Sequence, residues 1–238
     1  MKILAATNNK HKIGEFRNIL KDTGVQIISQ EELGKQLPDI PEDGDTFEEN
    51  AKIKALGFAK FAGLTVIADD SGLEIRALDG APGIYSARYA DTNDKRIERV
   101  LRELGEKCQS VKVSECQSVK VSECQSKLNP NKIENWQSEI ENAKPDEQRL
   151  TTSEFNERAA RFVCVIALAS PEKIIATFRG EVYGRIGFAA KGSGGFGYDP
   201  IFIPDGYEKT FAELGADIKD KISHRANALM KLDEFLKL

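Results

Sequence analysis

The sequence predicts an α/β fold, and three stretches of the chain lead to this prediction. The short apolar strand KILAA is followed by a polar turn and by a helix with one apolar face. The apolar run of LTVIADDSG stops at Asp69 and Asp70, as in a buried strand that delivers acidic groups to a sheet edge. ARFVCVIALA is nearly continuous in apolar residues, as in a central strand. Because open α/β sheets bind ligands at the carboxyl ends of strands, the two aspartates are candidates for a metal-dependent reaction on a phosphate.

Composition restricts the class of function. The chain has 238 residues and a formal net charge of -4, which argues against bulk attraction to nucleic acid or to an anionic membrane. No apolar run has the length of a membrane span and the start lacks a signal-peptide pattern, so we expect a cytoplasmic protein. The cysteines form no CxxC pair and the chain has only 2 histidines, which argues against a zinc site.

The first polar turn, TNNKHK, is a candidate phosphate site. It lies between the first strand and a predicted helix that has Gly24 as its C-cap. Such a turn presents free backbone N–H groups and the positive end of a helix dipole, and Lys10 and Lys12 add charge. Two interpretations stay open: a cradle for a triphosphate, or an ordinary turn with surface lysines. The glycines of a Walker A loop are absent.

An acidic loop follows a second predicted strand at residues 25–29. The loop, GKQLPDIPEDGD, leads into TFEE, a capping box that predicts a helix from Thr46 to about Phe61. If the loop folds toward Asp69 and Asp70, one of its carboxylates would complete a magnesium site. Asn50 and Lys54 are one helical turn apart, so they either face solvent together or line the same cleft.

The middle of the chain contains an unusual segment. After LTVIADDSG we predict another strand at LEIRAL, a turn at DGAPG, and a helix from Thr92 to Gly105. Residues 107–156 then differ in kind, because the octapeptide CQSVKVSE at Cys108 recurs at Cys116 and begins again at Cys124. On a strand this even period would put the three cysteines on one face. We interpret the segment as an insertion: either a surface excursion without catalytic duty or a docking element with Trp136 as its anchor.

The last third of the chain adds two candidate ligand segments. Cys164, inside ARFVCVIALA, is expected to be a packed thiol, and a tight turn at SPEK leads to a further strand over residues 174–182. GSGGFGYDP is either a flexible connection or a loop where Phe196 or Tyr198 stacks on a base and Asp199 hydrogen-bonds it.

The final helix begins with an unusual charge pattern. Ser223 is a good N-cap, and cations in the first turn of a helix oppose its dipole. His224 and Arg225 are therefore either placed for an anionic ligand or form a surface pair with a small local penalty.

Six motifs in this order resemble the inosine triphosphate pyrophosphatase family: TNNKHK, PEDGDTFEENA, ADDSGLEI, GAPGIYSARYA, GSGGFGYDPIF and SHRANAL. Members of that family hydrolyse non-standard purine nucleoside triphosphates such as dITP, ITP and XTP to the monophosphate and pyrophosphate. The resemblance implies an elongated mixed β-sheet flanked by helices, two lobes with a substrate cleft between them, and a homodimer. It covers nearly the whole chain outside residues 107–156, so we expect a single domain over residues 1–238.

The resemblance also implies roles for individual residues. Asp70 is expected to be the proton acceptor and a Mg²⁺ ligand, and Asp69 is expected to support the metal or the water. Glu42 is expected to be a second metal ligand, although Asp43 lies next to it in a loosely matched loop. The other expected residues contact substrate: Thr7, Asn8, Asn9, Lys10, His11 and Lys12 at the triphosphate, Ser71 at a further contact, and Phe196, Gly197, Tyr198, Asp199, Lys219, His224 and Arg225 at the base and a phosphate.

The base provides a physical reason for selectivity. Hypoxanthine and xanthine carry a 6-oxo group where adenine carries an amine, so a donor from a backbone N–H, His224 or Arg225 would favour them. Two other functions are considered. A related pyrophosphatase for modified pyrimidine or methylated nucleotides is disfavoured by GFGYD and SHR, and a nucleotide sensor without turnover is disfavoured by the intact pair of aspartates.

Overall fold

A computed structural model of the protein describes residues 2–34, 38–118 and 157–237. The strands in these ranges are β1 (Lys2–Ala5), β2 (Gln26–Ile28), β3 (Val66–Ile75), β4 (Ala159–Ala169), β5 (Ile174–Ile186) and β6 (Phe202–Pro204). The α-helices are α1 (Lys10–Ile19), α2 (Gln30–Leu33), α3 (Phe47–Ala62), α4 (Asn93–Ser118), α5 (Phe211–Leu214), α6 (Ala216–Ile222) and α7 (His224–Leu236). None of the helices in the described part of the chain is long and apolar enough to cross a membrane.

The strands form one mixed sheet in the order β2-β1-β3-β4-β5-β6. β1 pairs in parallel with β2 and with β3, and the other neighbours pair antiparallel. The predicted tight turn joins β4 to β5, where the N–H of Ser170 donates to the carbonyl of Lys173. The predicted α/β class and mixed sheet are confirmed.

The two aspartates lie inside a strand and not at its end, which corrects the prediction. β3 continues through Asp69 and Asp70 to Ile75, so LEI belongs to this strand and RAL forms a 3-10 helix. The neighbouring strand β1 ends just before it reaches the two aspartates. Its last bond to β3 joins the N–H of Ala6 to the carbonyl of Ile67. The predicted ligand-binding edge is therefore made by the end of β1, where the turn into α1 begins.

Helices cover both faces of the sheet and separate the side chains of β3 into two sets. On one face, α1 and α7 pack against Ile67 and Cys164. On the other face, α3 packs against Val66 and Ala68. Because side chains alternate along a strand, residue 69 shares the face of Ile67, and residue 70 shares the face of Ala68. Cys164 is fully buried as predicted, and burial raises the pKa of its thiol to about 12.

Helix ends follow most of the local signals. The hydroxyl of Thr46 accepts the N–H of Glu49 at 3.1 Å, as predicted for the start of α3. The carboxylate of Glu49 accepts the N–H of Asp45 and not that of Thr46, so the capping box closes one residue earlier than expected. Ser223 caps α7 by accepting the N–H of Ala226 at 3.1 Å.

Helix α4 corrects the predicted end at Gly105, because it continues to Ser118. Cys108 and Cys116 both lie on this helix, so the strand interpretation is wrong for this part of the repeat. Cys124 and Trp136 lie outside the described residues. The proposed start of the insertion at residue 107 falls within α4, and both interpretations of its role stay predictions.

The start of α7 lies very close to β5, and Gly180 permits this contact. A Cβ atom at residue 180 would overlap the carbonyl oxygen of His224 and the backbone nitrogen of Ala228. We expect Gly180→Ala to lower the free energy of unfolding by about 1–3 kcal/mol, since backbone must shift to make room. Urea unfolding measures this loss. Gly105→Ala is the control: its Cβ meets nothing within 4 Å and it lies inside α4, so it should stabilise by about 0.5–1 kcal/mol.

Candidate active site

Asp69 and Asp70 project to opposite faces of β3 and bind different cations. The carboxylate of Asp69 accepts bonds from Lys12 on α1 and Arg225 on α7. The carboxylate of Asp70 accepts a bond from Lys54 on α3. Both side chains are nearly buried, with 3% and 8% of the residue exposed. The adjacent acids therefore belong to two separate clusters.

The Asp69 cluster joins both ends of the chain to the strand. Lys12 Nζ lies 3.0 Å from Asp69 Oδ2, and Arg225 Nη2 lies 3.2 Å from the same oxygen. Arg225 also donates from Nη2 to Ser71 Oγ at 3.2 Å and from Nη1 to Glu15 Oε2 at 2.6 Å. The guanidinium is 1% exposed and is held on several sides, so its position is fixed before any ligand binds.

Charge compensation keeps the Asp69 cluster ionised. Burial alone would raise the pKa of Asp69, but Lys12 and Arg225 outweigh burial and hold this pKa well below its usual value. Burial alone would lower the pKa of Arg225, but Asp69 and Glu15 raise it. Asp69 therefore orients two cations as an anion. Its carboxylate accepts hydrogen bonds from Lys12 and Arg225 and, at 3.5 Å, from Ser71 Oγ.

The Asp70 cluster has the properties expected of a proton acceptor beside a metal. Lys54 Nζ lies 3.1 Å from Asp70 Oδ1 and 3.4 Å from Glu42 Oε1, so one lysine bridges two carboxylates. Asp70 Oδ2 is buried and has no hydrogen-bond partner among residues 2–34, 38–118 and 157–237. Burial raises the pKa of Asp70, although Lys54 opposes the shift. A buried oxygen without a partner is costly, so Asp70 Oδ2 is an atom that could hold a metal ion or a water.

The acidic loop does fold toward Asp70, and it brings Glu42 there. Glu42 shares Lys54 with Asp70, whereas Asp43 is exposed. Asn50 holds the loop in place because its Oδ1 accepts the N–H of Gly44 at 2.9 Å. Asn50 is fully buried and Lys54 pairs with Asp70 and Glu42, so the two side chains do not face solvent together.

The TNNKHK turn forms the start of α1 as predicted. Asn9 is the N-cap and accepts the N–H of His11 at 3.0 Å, while Thr7 Oγ1 accepts the N–H of Asn9. The turn divides between two neighbouring cavities. Asn9 and Lys12 line the one next to Ser71, whereas the other is lined by Thr7, Asn8 and Lys10.

A cavity of about 330 Å³, termed the ligand cavity, is lined by all the residues expected at the base and a phosphate. Its walls include Phe196, Gly197, Tyr198, Asp199, Lys219, His224 and Arg225. Asp199 Oδ2 accepts the backbone N–H of Phe196 at 2.7 Å and the ammonium of Lys219 at 2.6 Å. The same ammonium lies 4.1 Å from the centre of the Phe196 ring. Asp199 thus holds the aromatic segment and its lysine together.

His224 gives the cavity an uncharged polar group. Burial, with the positive charges of Arg225 and Lys219, holds the pKa of His224 well below its usual value. Its ring stacks on Phe162 with centroids 4.8 Å apart, and its buried Nδ1 accepts or donates no hydrogen bond within the part of the chain that the structure describes. His224 and Arg225 therefore lie in the ligand cavity, which excludes the surface-pair interpretation.

The sequence interpretation did not assign several residues of the two clusters. Lys54 had a weak signal, its one-turn spacing from Asn50, but no signal identified its bridge to Asp70. Glu15 lies one helical turn after Lys12 on α1, and only the fold shows that it reaches Arg225. The sequence predicts Phe162 only as part of a core strand. In the structure its ring stacks on that of His224, and Phe162 lines the cavity.

Comparison with known proteins agrees with this geometry. A model of the Ham1 family matches residues 3–128 and 132–235. The chain belongs to the Ham1 family. The predicted relationship to nucleoside triphosphate pyrophosphatases is thereby confirmed.

Relatives of this Ham1-family chain match it over nearly their whole length. A protein of Oceanobacillus iheyensis named dITP/XTP pyrophosphatase is 41% identical over 99% of this chain and 98% of its own. A protein of the same name from Agrobacterium fabrum is 39% identical over 98% of this chain and 94% of its own. The solved Ham1 protein of Staphylococcus aureus is 36% identical with a TM-score of 0.71, covering 100% of this chain and 98% of its own. The Ham1 protein of Coxiella burnetii is 35% identical with a TM-score of 0.72, covering 99% and 98%.

Proposed function

We propose that this Ham1-family chain hydrolyses dITP, ITP and XTP to the nucleoside monophosphate and pyrophosphate, and so removes these nucleotides from the pool. The observation that carries the proposal is Asp70: a buried carboxylate of raised pKa with one oxygen unpartnered among the described residues. It directly precedes Ser71, which lines the cavity that Lys12, Lys219 and Arg225 also line. A base whose pKa is raised accepts a proton more readily, which is what activation of water requires.

We propose Mg²⁺ as the metal, held by Asp70 and Glu42. The unpartnered Oδ2 of Asp70 is an oxygen ligand of the kind that Mg²⁺ prefers, and Glu42 shares Lys54 with it. Residues 2–34, 38–118 and 157–237 contain no group of three or more His, Cys, Asp or Glu side chains placed to hold a metal ion. Two carboxylates suit Mg²⁺, which typically keeps several waters and substrate phosphate oxygens as its other ligands. When bound, the metal would neutralise charge on the phosphates.

Side chains of both the Asp70 cluster and the Asp69 cluster have roles in the proposed reaction. Asp70 takes the proton of the attacking water as the bond between the α- and β-phosphates breaks. Lys54 stays charged beside it, because Asp70, Asp69 and Glu42 outweigh burial and raise the pKa of Lys54. Asp69 is a positioning residue that fixes Lys12 and Arg225. The turn from Thr7 to Lys12 offers the positive end of α1 to the triphosphate.

Base selection follows from the fixed donors of the cavity. Phe196 stacks on the purine, with Gly197, Tyr198, Asp199 and Lys219 shaping its segment. Neutral His224 and charged Arg225 offer hydrogen bonds to a 6-oxo group, and Ser71 supports Arg225. The amine of adenine would face a donor there, and an unpaired buried polar group costs about 1–3 kcal/mol.

Pyrophosphate release tests the proposed function. The protein is incubated with Mg²⁺ and, separately, with dITP, ITP, XTP, dATP, dGTP, dCTP or dTTP. We expect kcat/KM for dITP, ITP and XTP to exceed that for dATP by about 100-fold or more. Preference for a pyrimidine would contradict the proposal in favour of another substrate class. Binding of nucleotides without release would indicate a sensor.

Two further expectations concern the protein in the cell. We propose that the chain forms a homodimer and acts in the cytoplasm, as the resemblance and the sequence imply. Sedimentation of the purified protein tests the oligomeric state.

A further inference from the structure

One cation of the ligand cavity differs from the others in its partners. Lys12, Lys219 and Arg225 each lie within salt-bridge distance of a carboxylate. Arg96 also lines this cavity, from the first turn of α4. It donates from Nε to the carbonyl of Ala90 and from Nη1 to Asn93 Oδ1, both at 2.9 Å. In the described part of the chain, Arg96 forms no ion pair with a carboxylate.

The two hydrogen bonds of Arg96 hold its guanidinium without neutralising it. Both acceptors are uncharged, so the full positive charge stays available to a ligand. Nη2 makes no hydrogen bond to the described residues, so it can donate into the cavity. A preorganised cation with a free donor binds an oxygen at a smaller entropy cost than a mobile side chain would.

Arg96 lies near the base-binding segment and on a different element from Arg225. Tyr198 donates from its hydroxyl to the carbonyl of Ser86 at 2.9 Å, which ties that segment to the turn before α4. Burial raises the pKa of Tyr198, and the charge of Arg96 is close enough to oppose this shift. Arg225 approaches from α7 and Arg96 from α4, so a purine in this cavity meets a fixed guanidinium from each of two elements.

We propose that Arg96 is a specificity residue that binds the 2-oxo group of xanthine. This proposal rests on the proposed function and adds a contact at the second edge of the base. Xanthine carries an oxygen at position 2, where hypoxanthine carries only hydrogen and guanine carries an amine. The xanthine base of a nucleoside is also acidic and largely anionic at neutral pH, so a cation favours it. The amine of guanine would meet the donors of Arg96 and be disfavoured.

Comparison of XTP with ITP isolates this contact, because the two nucleotides share their ribose and triphosphate. We expect Arg96→Met to lower the ratio of kcat/KM for XTP to that for ITP by about 10- to 100-fold, as for loss of a charge-assisted hydrogen bond. Arg102→Met is the matched control, because Arg102 is exposed on the same helix and does not line the cavity. Thermal unfolding of both variants confirms that they are folded.

Calorimetric binding of XMP and IMP gives a second readout that does not depend on turnover. We expect Arg96→Met to weaken the binding of XMP and to leave the binding of IMP unchanged. Equal losses for the two nucleotides would place Arg96 at the ribose or phosphates and overturn the proposal, as would no loss. If the wild type releases no pyrophosphate from either triphosphate, the proposed function fails, and XMP binding still decides the role of Arg96.

Discussion

Asp70→Asn is expected to lower kcat for dITP by about 10²–10⁴-fold while nucleotide binding is largely retained. The substitution keeps the shape of the side chain and removes its ability to accept a proton. It also removes the charge that Asp70 shares with Glu42 across Lys54. Single-turnover kinetics measures the chemical step, and equilibrium binding of dITP without Mg²⁺ measures affinity.

A matched substitution in the acidic loop separates local chemistry from general charge loss. Asp43→Asn removes the same charge from an exposed residue next to Glu42, and we expect it to leave kcat nearly unchanged. Glu42→Gln should lower kcat and raise the Mg²⁺ concentration needed for activity. An Asp70→Asn protein of near-native activity would refute the assigned base. A large loss of kcat in Asp43→Asn with none in Glu42→Gln would indicate that Asp43, and not Glu42, is the second metal ligand.

Arg225→Met is expected to lower the free energy of unfolding by about 3–5 kcal/mol, the usual cost of removing one partner of a buried ion pair. Arg225 is 1% exposed and binds both Asp69 and Glu15. Its loss leaves Asp69 with Lys12 alone and Glu15 without this cation. Urea unfolding of the wild type and variant at pH 7 measures the difference.

Arg17, an exposed arginine on α1, provides the control. Arg17 pairs with Glu32, and both side chains are about half exposed, at 44% and 50%. We expect Arg17→Met to cost no more than about 1 kcal/mol, because solvent screens an exposed pair. Equal losses of unfolding free energy in the two variants would show that burial of Arg225 adds nothing to the cost of removing its ion pairs.

The effect of Arg225→Met should depend on pH. Because the folded state lowers the pKa of Asp69, this group stabilises the wild type above its unfolded pKa. That contribution is lost as the pH falls through the lower, folded pKa. The difference between wild type and variant should therefore be largest at neutral pH and shrink in acid. A difference that stays constant from pH 7 to strongly acidic pH would contradict the role given to the Asp69 charge.

Much of the site could be predicted because its residues lie in short, contiguous motifs. The turn from Thr7 to Lys12 lies at the start of α1 and the final helix begins after Ser223, both as predicted. The pair of aspartates was placed on the correct strand but wrongly at its end. Local patterns report such placements well, since caps and turns are decided by neighbouring residues. The cavity then brings together segments from both halves of the chain.

The length of β3 could not be predicted from its own residues. Two consecutive acids normally end a buried run, and here they do not, because Lys12 and Lys54 compensate one acid each. The compensating charges come from different helices, so no window around Asp69 contains them. The same limit applies to Arg225, whose partner Glu15 lies near the other end of the chain.

The extension of α4 beyond Gly105 had a different cause. A glycine usually weakens a helix interior, so it was a reasonable predicted end. The helix tolerates it because Val100 and Leu104 are fully buried against the sheet before the glycine is reached. Tertiary packing thus outweighs a local propensity of about 1 kcal/mol.

The alternation of side chains along β3 has a consequence for how this enzyme can change. Asp69 and Asp70 have different partners because successive side chains of β3 point to opposite faces of the sheet. Insertion or deletion of a single residue earlier in β3 would turn Asp69 toward the face of Lys54 and Asp70 toward the face of Arg225. Length changes in this strand are therefore far more restricted than in the loops.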